Sequence, residues 1–143
     1  MIREATIMDA QRINELGLLL HSNFDHVFHL DEMLDDAYTK VIVYENNEKI
    51  LGFLIATHIY ETCDILSIIV DPEYRRKGIA SNLITYLISD CGEQLKLVTL
   101  EVASKNEAAI ELYEKFGFEK IHTRNHYYPD GDDAYLMARK SES

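Results

Sequence analysis

The order of apolar and polar residues along the chain predicts alternating strands and helices. After Asp9, a good helix N-cap, apolar residues such as Ile13 and Leu16 recur at helical spacing, which predicts an amphipathic helix. Residues 2–6 before it are expected to form a short strand. Residues 21–38 mix aromatic, histidine and acidic side chains without a clear period, so we expect a loop and a second short helix there.

The middle of the chain has the pattern of an antiparallel meander. Segments 40–44 and 49–60 are apolar or alternating, and the turn-forming residues 45–48 between them predict a hairpin. Residues 62–70 follow as a third strand, which ends before Pro72 because proline cannot donate to the ladder. A helix is expected next, and the breadth of its apolar stripe indicates packing against a sheet. The stripe comprises Ile79, Leu83, Tyr86 and Leu87, widened by Ala80, Ile84 and Ile88.

The following strand, predicted over residues 95–102, contains an unusual carboxylate. Alternation places Val98, Leu100 and Val102 on one face and Glu101 on the other. Glu101 therefore lies near the carboxyl end of a strand that otherwise has a buried pattern. Open α/β sheets present their ligand-binding groups at that end.

The last third of the chain predicts one helix and two strands. Ser104 and Glu107 have the spacing of a capping box, which would leave Asn106 free in the first helical turn. Gly117 is a natural residue to follow the helix end. The last two strands are predicted at residues 118–123 and 133–139, joined through a Pro-Asp-Gly turn.

These elements predict an α/β (α+β) fold in one domain spanning residues 1–143, because no linker or repeat divides the chain. The formal net charge of −11 argues against a nucleic-acid partner, whose phosphates are bound by Lys and Arg. The longest apolar run, residues 50–56, is too short to cross a bilayer, and we expect no signal peptide. Cys63 and Cys91 are far apart, so reduced thiols in a soluble cytoplasmic protein are expected. A monomer and a homodimer stay equally open.

Three consecutive cations, Arg75, Arg76 and Lys77, stand out in so acidic a chain. They precede Gly78 and Ala80, at the start of the predicted helix. The first turn of a helix has N–H groups without intrahelical partners, and small residues let phosphates approach that backbone. We interpret this join as a pyrophosphate site, although close packing of the helix on the sheet would also explain the two small residues.

The segment VDPEYRRKGIA resembles the V-x-P-x-x-[Q/R]-x-x-G-x-[G/A] signature of the Gcn5-related N-acetyltransferases (GNAT). Within that family, LEVASKNEAAIELYEKFGFE and RNHYYPDGDDAYLM resemble the ribosomal-protein alanine N-acetyltransferases of the RimI type. The resemblance covers about residues 40–139. It implies a mixed, mostly antiparallel central sheet of about six or seven strands flanked by about four helices.

The resemblance also implies acetyl-CoA as cosubstrate and no metal. The pantetheine arm would lie along the backbone of Ile68, Ile69 and Val70. Arg75 fills the Gln/Arg position that opens the motif, and Asn106 is similar to the family asparagine that contacts the cofactor. The pyrophosphate would be wrapped mainly by the main-chain N–H groups of Arg76, Lys77, Gly78, Ile79, Ala80 and Ser81.

Direct attack of an amine on the thioester, without an acyl-enzyme, is the chemistry that the family implies. Glu101 resembles the general base and Tyr113 the general acid that protonates the thiolate. A backbone N–H near Val70 would polarise the carbonyl, and Tyr127 and Tyr128 would line the acceptor cleft. From the residues alone, Tyr113 would more simply be a core tyrosine, Glu101 an exposed carboxylate and the tyrosine pair hairpin packing.

The sequence departs from the RimI pattern on the acceptor side. Ala103 stands where the family usually has an arginine, and the chain has no tryptophan for the Pro-Trp pair usual in the early loop. A protein N-terminal α-amine is the favoured acceptor, because its pKa of ~8 leaves it partly neutral, whereas lysine at ~10.4 is almost wholly charged. Acidic residues 25–36 would receive a basic ribosomal-protein N-terminus or form only a solvated face.

Other readings stay open. A small-molecule amine (polyamine, aminoglycoside or amino acid) would suit the same fold as acceptor. A CoA-binding module without catalysis is a third hypothesis, although it has no need of a paired base and acid. His21, His26 and His29 have no spacing typical of a metal site, so we expect a polar loop near the cleft there.

Overall fold

Over residues 1–141, which the computed structural model describes, the chain forms seven β-strands and five α-helices, in the predicted order except for one additional helix within residues 21–38. The helices are α1 (Ala10–Leu20), α2 (Phe24–Val27), α3 (Leu30–Asp35), α4 (Ile79–Cys91) and α5 (Glu107–Lys115). The strands are β1 (Ile2–Glu4), β2 (Thr39–Asn46), β3 (Lys49–Ile59), β4 (Thr62–Val70), β5 (Leu97–Ala103), β6 (Glu119–Arg124) and β7 (Ala134–Lys140). Short 3-10 helices, Ile7–Asp9 and Pro72–Tyr74, precede α1 and α4.

The strands form one sheet in the order β1-β2-β3-β4-β5-β7-β6. Neighbouring strands are antiparallel except β4 and β5, which run parallel. The β2–β3 hairpin turns at Asn47 and Glu48, whose φ angles of 52° and 64° are those that a tight two-residue hairpin turn requires. The predicted mixed, mostly antiparallel sheet of six or seven strands is confirmed, and the helices in the described part of the chain number five instead of about four.

Apolar side chains pack on both faces of the sheet. Leu83 and Leu87 of α4 belong to the larger core together with Val98 and Leu100 of β5, and residues of α5 pack beside them. The smaller core lies on the opposite face, between α1, α2, α3 and the strands β2 and β3. The predicted alternation of β5 is confirmed, because Val98, Leu100 and Val102 are buried in the larger core. The side chain of Glu101 consequently projects from the face opposite α4 and α5.

Residues 21–38 form two short helices, α2 and α3, instead of the predicted loop and single helix. The segment is anchored by Phe24, which is only 1% exposed and has its ring centroid 5.6 Å from that of Phe53. Phe28 stacks on Phe24 at 4.9 Å. Leu30 is buried in the same core, so apolar contacts rather than a helical period fix this segment.

Asp9 does not cap α1 with its side chain, contrary to the prediction. Its carboxylate instead accepts hydrogen bonds from the Thr6 backbone N–H at 2.8 Å and from the Arg3 guanidinium at 2.7 and 2.9 Å. Because the Arg3 guanidinium donates to it, the pKa of the Asp9 carboxyl lies below its ordinary value. The 3-10 helix before α1 places Asp9 inside a helical turn, where its side chain points back along the chain.

Gly17 allows α2 to pack closely on α1. A methyl group added at Gly17 would lie 2.3 Å from Cγ of the Phe24 ring, which is too close for any contact. Gly17→Ala is therefore expected to destabilise the protein by ~1–3 kcal/mol through overpacking, although alanine is the better helix former. The measurement is urea unfolding, with Leu19→Ala, on an exposed side chain of the same helix, as the control. Equal stability of the two variants would show that Phe24 does not pack against Gly17.

Candidate active site

The parallel strands β4 and β5 hydrogen-bond to each other along only part of their length. Their pairing runs from Thr62 opposite Leu97 to Ile65 opposite Leu100, and it ends there within the described part of the chain. Strand β4 nevertheless continues to Val70 and β5 to Ala103. The two strands therefore separate toward their carboxyl ends, and one backbone edge of β4 faces a gap.

A bulge in β4 lies where the gap begins. On the β3 side, Ile55 is paired with Ser67 and Ala56 with Ile65, so Leu66 is the extra residue. A bulge bends its strand and increases the local twist. It accounts physically for the separation of β4 from β5, because β4 stays paired with β3 up to Val70 while it turns away from β5.

The loop between β4 and α4 presents a row of unpaired backbone N–H groups. Among residues 1–141, none accepts a hydrogen bond from the amides of residues 76–81. Arg76 and Gly78 have φ angles of +65° and +78°, which turn successive N–H groups toward one concavity. Around Gly78 no atom lies within 4 Å of the place a methyl group would occupy. The loop thus offers donors, positive charge and space to an anion.

Arg12 of α1 holds the start of this loop, a role that the sequence pattern did not reveal. Its Nη2 atom lies 3.0 Å from Oδ2 of Asp71, and its Nε donates to the Ile50 carbonyl at 3.2 Å. The Asp71 side chain also accepts a hydrogen bond from the Glu73 N–H at 3.0 Å. Asp71 is buried, so the pairing with Arg12 satisfies a carboxylate that would otherwise be costly there.

Asn106 lies at the start of α5, on the β5 side of the gap. The predicted capping box of Ser104 and Glu107 is wrong, because Asn106 itself is the N-cap and its Oδ1 accepts from the Ala109 N–H at 3.3 Å. Ser104 donates its hydroxyl hydrogen bond to Asp132 in the β6–β7 loop instead. Asn106 therefore has a capping duty that the sequence pattern assigned to another residue.

Glu101 lies at the gap on the face opposite α4 and α5, and its cross-strand neighbour is Leu136 of β7. Its Oε1 atom is 3.4 Å from Nη2 of Arg124, a residue that the sequence analysis did not single out. Both side chains reach solvent, being 30% and 47% exposed. Glu101 is thus an accessible carboxylate beside the separated ends of β4 and β5.

Tyr113 belongs to α5 and packs into the larger core, on the other face of the sheet. Its ring centroid is 5.9 Å from that of Phe118, and burial raises the pKa of its phenol to about 12. The end of α5 is fixed by the Phe118 and Gly117 N–H groups, which donate to the carbonyls of Tyr113 and Glu114. Gly117 has a φ of +90°, so the predicted helix stop at this glycine is confirmed. A high pKa keeps the Tyr113 hydroxyl protonated at neutral pH.

Tyr127 and Tyr128 lie in the β6–β7 loop, with their rings 5.2 Å apart at nearly a right angle. Burial and then the charge of Glu101 raise the pKa of Tyr128, and Tyr128 in turn acts on the pKa of Tyr113.

The element order and sheet topology define this chain as an α/β domain with a parallel pair of strands at its centre. The acetyltransferase (GNAT) family matches residues 6–118, and the chain belongs to this family. It is an N-acetyltransferase. No helix within residues 1–141 combines the length and apolar character needed to span a membrane.

Individual relatives agree with the family assignment. The chain is 31% identical to an N-alpha-acetyltransferase of Sulfurisphaera tokodaii, over 96% of this chain and 90% of that protein. It is 36% identical to the ribosomal protein bS18 alanine N-acetyltransferase of Escherichia coli, over 64% of this chain and 65% of that one. The crystal structure of the ribosomal-protein-S18-alanine N-acetyltransferase from Escherichia coli superposes with a TM-score of 0.89 at 27% identity, covering 100% of this chain and 95% of the other.

The cap of α5 leads to a prediction about Asn106. Asn106→Ala is expected to lower the free energy of unfolding by ~1 kcal/mol, the usual loss on removing a helix N-cap. Asn106→Asp keeps a capping oxygen and is expected to retain most of the stability. Chemical denaturation of both variants measures the difference. Equal losses in the two would contradict the capping role.

Proposed function

We propose that this protein transfers the acetyl group of acetyl-CoA to the N-terminal α-amine of a protein, by direct attack in a ternary complex. One arrangement supports the proposal: Glu101 lies beside the separated ends of β4 and β5 on one face of the sheet, and Tyr113 belongs to α5, which packs on the other face. A thioester lying in the gap would be open to an amine from one face and to a proton donor from the other.

The residues around the gap fit the cofactor. The backbone edge of Ile68, Ile69 and Val70, which lacks a β5 partner among residues 1–141, would pair with the amide groups of the pantetheine arm as a further strand does. Arg75 and the unpaired amides of Arg76 to Ser81 would bind the pyrophosphate. The Asn106 side chain, at the helix start across the gap, would contact the cofactor through the amide hydrogens that capping does not use.

The reaction requires a neutral amine, a polarised carbonyl and a proton for the departing thiolate. Glu101 would accept the proton of the incoming ammonium group, directly or through a water. A backbone N–H near Val70 would donate to the carbonyl oxygen as negative charge develops on it. Tyr113, whose phenol is protonated at neutral pH, would donate its proton to the sulfur as the C–S bond breaks. Tyr127 and Tyr128 would line the path of the acceptor.

The acceptor class follows from chemistry and from the relatives. An α-amine has a pKa of ~8 and is partly neutral at physiological pH, so one carboxylate base suffices for it. A lysine side chain, with a pKa of ~10.4, is almost wholly charged at that pH and is harder to deprotonate. Relatives of this chain bear names of N-alpha-acetyltransferases and ribosomal-protein alanine N-acetyltransferases. Acidic side chains of α2 and α3 would favour a basic segment further along the acceptor, as in a ribosomal-protein N-terminus.

Replacing the proposed base is expected to slow the chemical step. Glu101→Gln should lower kcat by ~10²–10⁴, the usual contribution of a positioned acid or base, and should leave the Kd of CoA within about twofold. The measurement is thiol release with acetyl-CoA and an alanine-headed peptide, followed by calorimetric titration with CoA. Glu111→Gln, an exposed carboxylate of α5, is the matched control and should behave as wild type. An unchanged kcat in Glu101→Gln would exclude this residue as the base. Turnover of spermine, without turnover of the peptide, would show that the acceptor is a small amine and not a protein N-terminus.

Replacing the proposed acid is expected to lower kcat by a factor that does not vary with pH. Tyr113→Phe should lower kcat by ~10². Because burial raises the pKa of Tyr113 to about 12, the wild-type phenol stays protonated between pH 7 and about pH 10, and the deficit of the variant should be constant there. Tyr86→Phe, on the half-buried tyrosine of α4, is the control. A deficit that disappears as the pH approaches 10 would show an ordinary pKa, and no deficit at any pH would exclude Tyr113 as the acid.

A further inference from the structure

Arg124 is the cation next to the proposed base. It ends β6, where it pairs with Ala134 of β7, and Ala134 in turn pairs with Ala103 of β5. This register places Arg124 on the same face of the sheet as Glu101, two residues further along the strands. The distance of 3.4 Å between Arg124 Nη2 and Glu101 Oε1 makes a single, half-exposed ion pair without the two parallel hydrogen bonds of a bidentate contact.

Arg124 has a second partner in the acceptor cleft. Its guanidinium carbon lies 5.5 Å from the centroid of the Tyr127 ring, within the range of a cation–π contact. When an ammonium group pairs with Glu101, Arg124 can give up the carboxylate and stay on the tyrosine. The cation therefore remains at the mouth of the site while the acceptor is bound.

Other charged groups on this side are already engaged. The Asp64 carboxylate accepts a hydrogen bond from Thr99 at 2.8 Å, on the floor of the same face. In the β6–β7 loop, Asp132 accepts from Ser104, and Asp133 accepts from the His126 N–H at 2.9 Å. These carboxylates are hydrogen-bonded to neighbouring donors, and among residues 1–141 Arg124 is the cation that pairs with Glu101.

We propose that Arg124 is a specificity-determining residue, which selects acceptors with an acidic or uncharged second residue over those with a basic one. This inference rests on the proposed function, because it takes Glu101 as the group that receives the acceptor amine. An amine at Glu101 places the next side chain of an extended peptide within a few ångströms of the guanidinium. A carboxylate on the second residue of the acceptor would form an ion pair with Arg124, whereas a guanidinium at that position would be repelled. Basic residues further along the acceptor would still meet the acidic side chains of α2 and α3.

The test uses three peptides that differ only at the second position, headed Ala-Glu, Ala-Gln and Ala-Arg, with kcat/KM measured at 0.15 M salt. Distant charges are largely screened there, because the Debye length is ~8 Å. The wild-type protein should prefer Ala-Glu over Ala-Gln, and Ala-Gln over Ala-Arg, by about threefold to fivefold at each step, as expected for half-exposed charge contacts. Arg124→Gln should bring the Ala-Glu to Ala-Arg ratio to one or below, and Arg124→Lys should restore part of it.

A matched control is available on the same strand. Lys120 lies over the Tyr135 ring at 4.6 Å and pairs with the core residue Met137, which places it on the opposite face. Lys120→Gln removes the same charge from β6 and should keep the wild-type ratio. Equal kcat/KM for the three peptides in the wild type, or an unchanged ratio in Arg124→Gln, would overturn the role of Arg124 in specificity. Neither result would affect the proposed acceptor. No turnover of any peptide, with turnover of spermine, would overturn the proposed acceptor and this inference together.

Discussion

The structure depends on the partial pairing of two parallel strands. Strands β4 and β5 share four residue pairs and then separate, so the remaining backbone of β4 has no strand beside it over the described residues. Unpaired backbone donors and acceptors are costly when they are shielded from water, which makes such an edge ready to pair with a ligand of extended shape. The bulge at Leu66 bends β4 away from β5 at one end, and the hydrogen-bonded pairs from Thr62–Leu97 to Ile65–Leu100 hold the two strands together at the other.

The loop that enters α4 is positively charged, although the protein as a whole is acidic. The chain carries a formal net charge of −11, yet the loop that enters α4 presents three cations and a row of free amides. Fixed dipoles and charges at a helix start act over a few ångströms, whereas the net charge acts mainly on solubility and on long-range approach. An anionic cofactor and a cationic acceptor can thus be attracted to different parts of one surface.

Local sequence signals predicted most elements well. Strand β4 has the predicted limits and helix α4 follows it as expected, because Pro72, the glycine at position 78 and a broad apolar stripe are all local signals. The capping box at Ser104 was wrong because Asp132, 28 residues later, competes for its hydroxyl. The helices of residues 21–38 were missed in part because Phe24 and Leu30, rather than a helical period, fix them through contacts with distant residues. The alternation of apolar residues located Glu101 near the end of β5, whereas the roles expected of Glu101 and Tyr113 came from the family resemblance. The pairing of Glu101 with Arg124 depends on a sheet register that no local pattern encodes.

Amide hydrogen exchange with and without CoA tests the central claim most directly, since it reports on the backbone groups that the claim concerns. The account predicts that CoA slows exchange at two places, residues 66–70 of β4 and residues 76–81 of the following loop, and leaves the hairpin turn at Asn47 and Glu48 unchanged. Binding of CoA with protection elsewhere, and none in these two segments, would contradict it.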